Sequence, residues 1–204
     1  MGSHEISFIL FSFAIGSIPI GFLICLFKEK KDIRNEGSKN TGATNVFRVC
    51  GKRPALLTLL LDMTKGALPT LYGIIHFNST FMIILGASAA IIGHLFSPFL
   101  KFRGGKGIST FTGFLIVYSF KSEGFPAMLV FSVLFITVCY LSGFVSLSSL
   151  IGISGAFFAI LFTNSVETSV VVFAVILLMI YKHRNNIQRL LSGDEEKLFR
   201  RNNG

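Results

Sequence analysis

The sequence has no tryptophan, only four tyrosines, and few charged residues, 14% of its 204 positions. A soluble domain carries about 25% charge, so this shortage excludes an ordinary water-soluble globule. With 51% hydrophobic residues and a mean hydropathy of +0.68, the chain reads as a polytopic membrane protein, one domain over residues 1–204. The lack of Trp and Tyr leaves little interfacial aromatic belt. Cysteine is scarce too. Cys25, Cys50 and Cys139 are scattered and odd in number, show no zinc spacing and imply no disulfide framework. No cluster of carboxylates and histidines suggests a metal, and no cofactor is expected. No basic region precedes the first apolar run, which therefore reads as a mature helix and not as a cleaved signal. The net charge of +9 could suit nucleic acid. In so apolar a chain it reads instead as basic loops facing anionic lipid, with no nucleic-acid partner.

What is present is a series of apolar runs. Segments of roughly 17–25 residues can span a bilayer as helices. Such runs cover residues 6–27, 54–76, 80–100, 107–120, 124–141, 147–162 and 166–181. The fourth and sixth are near or below spanning length. The cluster Gly16-Ser-Ile-Pro-Ile-Gly21 predicts a kink or a close helix contact in the first. Basic residues collect between the first and second runs, between the third and fourth, and after the last. With seven spans all three segments fall on one side, so the pattern predicts an all-α protein with its N-terminus outside and C-terminus cytoplasmic. Ile187, Leu190, Leu191, Leu198 and Phe199 among the tail's charges suit an amphipathic surface helix.

Four polar stretches interrupt this apolar chain. Gly37-Ser-Lys-Asn-Thr-Gly-Ala-Thr-Asn45, followed by Arg48, offers glycine backbone, hydroxyls and amides beside positive charge. Such a loop is either an anion cradle or an ordinary polar connection. Gly104-Gly-Lys-Gly107 precedes the fourth run, where free N–H groups and Lys106 form an anion site, or the glycines merely allow a tight turn. It is not a Walker A loop, because position 100 is Leu and Gly107 occupies the Ser/Thr place. In Lys182-His-Arg-Asn-Asn-Ile-Gln-Arg-Leu-Leu-Ser-Gly-Asp-Glu195, His183 and Asn186 share a face if the last helix continues, whereas a basic run there is otherwise a positive-inside anchor. The fourth stretch is the serine-rich 142–149. Within the spans, Asp62 and Lys65 are spaced to pair, and His94 suits a hydrogen-bond anchor better than a ligand.

No Gly-x-Ser-x-Gly elbow is present. No histidine is followed by Asp at the spacing used by acyl-CoA-dependent glycerolipid acyltransferases: His4, His76, His94 and His183 meet Ile9, Phe81, Phe99 and Gln188.

The order of 37–45, 104–107 and 182–187 between apolar helices, strengthened by Gly16–Gly21 and by Asp62-x-x-Lys-Gly66, closely resembles the bacterial membrane-integral glycerol-3-phosphate acyltransferases that use acyl phosphate. The resemblance covers essentially the whole chain. It implies seven helices in the inner membrane, with acyl phosphate and glycerol 3-phosphate as substrates and lysophosphatidic acid as product. It places the active site on the cytoplasmic side, among membrane lipid, in a chain expected to be a monomer. It implies catalytic roles for Ser38, Arg48, Lys106, Ser146, His183 and Asn186. It implies substrate binding by Gly37, Asn40, Thr41, Gly42, Ala43, Thr44, Asn45, Gly104, Gly105 and Gly107. The proton acceptor is either His183 or the acceptor substrate's own phosphate. One departure stands out: the loop after the fifth run, often Arg-Tyr-Val-Ser in the family, is Gly143-Phe-Val-Ser146 here. A transporter of a phosphorylated metabolite is the alternative. It fits less well, since such sites lie near the midplane between paired repeats, and no repeat is visible.

Overall fold

In the computed structural model, which describes residues 2–198, Pro19 breaks the first apolar run. Helix α1 (Ser3–Ser17) stops at Ile18, and α2 (Ile20–Glu29) resumes beyond Pro19. Proline has no N–H to continue the ladder and drives the residue before it toward extended backbone, here φ −60° and ψ 119°. The remaining helices are α3 (Ala43–Cys50), α4 (Lys52–His76), α5 (Thr80–Leu95), α6 (Ile108–Tyr118), α7 (Phe125–Ser142), α8 (Val145–Thr163), α9 (Val166–Lys182) and α10 (Arg184–Ser192). No strand occurs among the described residues.

The chain divides between Tyr118 and Ser119 into two compact units. In the first, α1 packs on α5 and α4 packs on α6. Small residues set both contacts. A Cβ on Gly16 would lie 2.0 Å from Ala90 O, and one on Gly66 would lie 1.9 Å from Thr110 O. Where lipid competes for every apolar side chain, such backbone approach is a main source of helix cohesion. In the second unit α7 and α8 form a hairpin through Gly143 and Phe144, with α9 and α10 against α8.

The lipid-facing character is visible on α7. Leu129, Val133, Ile136 and Tyr140 recur at helical spacing and are 51–80% exposed. Such a bare apolar stripe is unsuited to water. The runs 3–29 and 80–100, α7 and α8 are each long and apolar enough to cross a membrane, and α9 with α10, bent by 53°, adds a fifth. All seven expected runs are helical. However, α4 carries charge and α6 has only 11 residues, so neither meets that criterion.

Four expectations change. The sixth run is not short: it extends to 19 residues as α8. The loop before α4 contains a helix, α3, whose apolar and polar residues the sequence reading did not separate. The cysteines are not all unpaired: Cys25 and Cys50, Cα atoms 6.2 Å apart, are joined, leaving Cys139 free. Cys25 lies within α2 and Cys50 at the end of α3, and the fold brings them together around Ile33 and Val46. The amphipathic tail helix covers only α10, and Phe199 lies outside the described residues.

Candidate active site

In the first unit the 37–45 loop is organised by two amides. Asn40 Oδ1 accepts from Gly42 N at 2.9 Å, an Asx-type turn that leads into α3. Asn45 is 1% exposed. Its Oδ1 accepts from Ser38 N at 2.9 Å, while its Nδ2 donates to Glu36 O at 3.0 Å and Asn40 O at 2.9 Å. Gly37 adopts φ +53°, and a Cβ there would lie 2.4 Å from Asn45 Oδ1, so only glycine lets the ring close. Asn40 and Asn45 are therefore framework residues, which the sequence could not separate from donors to a ligand. Gly42 caps the N-terminus of α3, with Ala43 and Thr44 in its first turn and Thr41 buried just before it. This is the geometry in which a helix start meets an anion. Ser38 is half-buried, and Arg48 stands exposed in the last turn of α3. Arg34 is engaged elsewhere: it forks Asp32 and lies over the Phe22 ring, and it holds the Asp32 carboxyl below the usual carboxylate range.

The 104–107 loop leads into α6. Gly105 N donates to His94 O at 3.1 Å, and a Cβ on Gly105 would lie 2.2 Å from His94 Nε2. Gly105 is thus a packing position whose N–H is already used. Gly104 rests on the same carbonyl, Gly107 O accepts from Phe111 N to open α6, and Lys106 is half-buried between them. The expected Asp62–Lys65 pair forms at 2.6 Å.

In the second unit the serine-rich stretch resolves by partner. Ser142, Ser148 and Ser149 return their hydroxyls to carbonyls of their own helices, the usual way an apolar helix satisfies a serine. Ser146 does not: it donates to Glu195 Oε1 at 2.5 Å. Asn186 Nδ2 donates to the same oxygen at 2.6 Å, and Arg189 Nε to Oε2 at 2.7 Å. Burial pushes the Glu195 carboxyl up, but these hydrogen bonds and the Arg189 charge outweigh it and hold the group below the ordinary value. The sequence reading gave Glu195 no role. The available signal was a run of three acids, Asp194-Glu-Glu196, beyond a glycine helix stop in a basic tail.

The condition for a shared face, a last helix that continues past His183, is not met. The chain bends by 53° at His183, and Asn186 lies on α10. His183 is 1% exposed, and its Nδ1 donates to Met179 O at 2.8 Å. A carbonyl only accepts, so Nδ1 carries hydrogen.

Each unit therefore offers polar groups on helix and loop supports: a cradled helix start, with Arg48 on the same helix and Lys106 in the 104–107 loop, in one, and a serine, an asparagine and a histidine in the other. The family model described as "Glycerol-3-phosphate acyltransferase" matches residues 6–193. A glycerol-3-phosphate acyltransferase of Francisella tularensis subsp. mediasiatica is 34% identical over 97% of this chain and 95% of its own. One of Maridesulfovibrio salexigens is 38% identical over 93% and 95%. The crystal structure of PlsY (YgiH), an integral membrane glycerol 3-phosphate acyltransferase, in its glycerol 3-phosphate form, aligns with a TM-score of 0.86 at 32% identity, covering 96% of both chains. Its lysphosphatidic acid form aligns at 0.81. This multi-pass membrane chain belongs to the glycerol-3-phosphate acyltransferase family.

Proposed function

We propose that the protein transfers a fatty acyl group from acyl phosphate to the sn-1 hydroxyl of glycerol 3-phosphate, giving lysophosphatidic acid and inorganic phosphate. Acyl phosphate is a mixed anhydride. The acceptor's primary hydroxyl attacks the acyl carbon, the C–O bond to phosphate breaks, and phosphate leaves without a strong protein acid. Catalysis is then mainly positioning and charge stabilisation.

The observation that carries the reading is the ring closed by Gly37, Asn40 and Asn45 at the start of α3, a support for a phosphate beside Ser38, Thr41 and Thr44. We assign it to the acyl-phosphate head. Arg48 and Lys106, in the first unit, and Ser146, His183 and Asn186, in the second, are assigned to glycerol 3-phosphate. The hydroxyl proton passes to the acceptor's own phosphate, with His183 an orienting group. The basic segments support seven crossings of the inner membrane, N-terminus outside, with the polar motifs cytoplasmic. The whole chain acts as one functional domain and as a monomer.

The test is purified protein in lipid mesophase, given acyl phosphate with and without glycerol 3-phosphate. Phosphate release that depends on the acceptor supports the reading. No release, together with uptake of glycerol 3-phosphate by protein-loaded vesicles, overturns it in favour of a transporter.

A further inference from the structure

Charge inside an apolar helix is costly and calls for a physical account. Helix α4 carries Asp62 and Lys65, 1% and 4% exposed, one turn apart. Their pairing does not exhaust them. Lys65 Nζ also donates to Ile18 O at 2.5 Å and stands 3.5 Å from His94 Nδ1. An ammonium group has three hydrogens. Here a carboxylate, a carbonyl and an imidazole nitrogen surround it, from α4, from the break before Pro19 and from α5. Ser97 Oγ donates to Ser17 O at 2.5 Å, so both carbonyls next to the break have side-chain donors.

Each end of this arrangement reaches a candidate loop. His94 is the floor under the glycines: a Cβ on Gly104 would lie 2.0 Å from His94 O, and one on Gly105 would lie 2.2 Å from its Nε2. Beyond the break, a Cβ on Gly21 would lie 2.1 Å from Thr41 O. A small cavity between them is lined by Thr41, Asp62, Lys65, His94, Gly104 and Gly105. For stability alone the ions are a poor choice, because well-packed apolar residues usually do as well as a buried ion pair. Their geometry instead meets His94, the residue directly under the glycines of the 104–107 loop.

We propose that Asp62, Lys65 and His94 form a positioning unit that sets the 104–107 loop, and with it Lys106, for the phosphate of the acceptor. The inference rests on the acceptor role given to Lys106 above.

Two variants test it in the full-length protein, with both substrates varied and thermal stability measured in the same detergent. Asp62→Asn combined with Lys65→Met removes both charges and leaves no orphan ion. His94→Gln keeps the ion pair and the backbone carbonyl under Gly104 but removes the imidazole under Gly105, so it reports even where the double variant does not fold. Lys106→Ala sets the scale. The unit predicts that the glycerol 3-phosphate KM rises about tenfold while the acyl phosphate KM and kcat stay within about threefold. An unchanged acceptor KM in His94→Gln, or a fall in kcat alone, overturns it. Wild-type protein without acceptor-dependent phosphate release would instead overturn the proposed function.

Discussion

Ser146 and Asn186 donate to one and the same carboxylate oxygen, Glu195 Oε1, at 2.5 and 2.6 Å. One residue comes from the first turn of α8 and the other from α10, so Glu195 fixes their separation. Arg189 holds the other oxygen at 2.7 Å. The carboxylate is therefore a positioning group for two residues assigned to the acceptor.

Replacing it should loosen both. Hydrogen bonds to a charged group contribute roughly 1.5–3 kcal/mol each, and Glu195→Ala removes all of them. A lower melting temperature and a raised glycerol 3-phosphate KM are expected, with Glu195→Gln intermediate because its Oε1 still accepts. Thermal melts in detergent and initial rates check both. Wild-type stability and KM in Glu195→Ala would remove the positioning role.

The same group sets a pH dependence. Its folded pKa is depressed, so its contribution is fully present above the unfolded value, about 4.3, and is lost as pH falls through the folded value. Melting temperature should therefore decline below about pH 4.3, and the decline should be shallower in Glu195→Gln. Melts from neutral pH downward on the two proteins decide it; parallel curves would contradict the assignment.

In the other unit, Asn45 donates through Nδ2 and accepts through Oδ1. Asn45→Asp keeps the acceptor but turns the donor into a charge facing the carbonyls of Glu36 and Asn40. The ring should open, with activity reduced by at least about thirtyfold if two buried groups lose partners at roughly 1–3 kcal/mol each. Full activity in Asn45→Asp would show that the ring is not needed.

His183 distinguishes two proton routes. Its Nδ1 is committed to Met179 O at 2.8 Å. If the acceptor's phosphate takes the proton, His183→Ala raises the glycerol 3-phosphate KM but retains most turnover at saturation, and the kcat–pH profile keeps its shape. Loss of turnover at saturation, with loss of a limb near neutral pH, would make His183 the base.

Much of this architecture was legible because it depends on short-range chemistry. Apolar length gave the helical runs, Pro19 gave the break, and the spacing of Asp62 and Lys65 gave their pair. What depends on distant partners was not. Cys25 and Cys50 pair because the end of α3 lies against the middle of α2, which no spacing rule contains. Four serines in a row of eight looked alike, yet only Ser146 leaves its own helix for a partner, Glu195, 49 residues on. Asn45 looked like a ligand donor, but it is consumed in building the loop. The bend at His183 overrode the helical register expected for His183 and Asn186.

The account stands or falls on the acyl donor. Purified protein should be given glycerol 3-phosphate with acyl phosphate, acyl-CoA or acyl carrier protein in parallel, and lysophosphatidic acid measured directly by mass spectrometry. The account predicts product with acyl phosphate alone, matched by an equal amount of released phosphate. Product from acyl-CoA or acyl carrier protein at a comparable rate, or none from acyl phosphate, would contradict it.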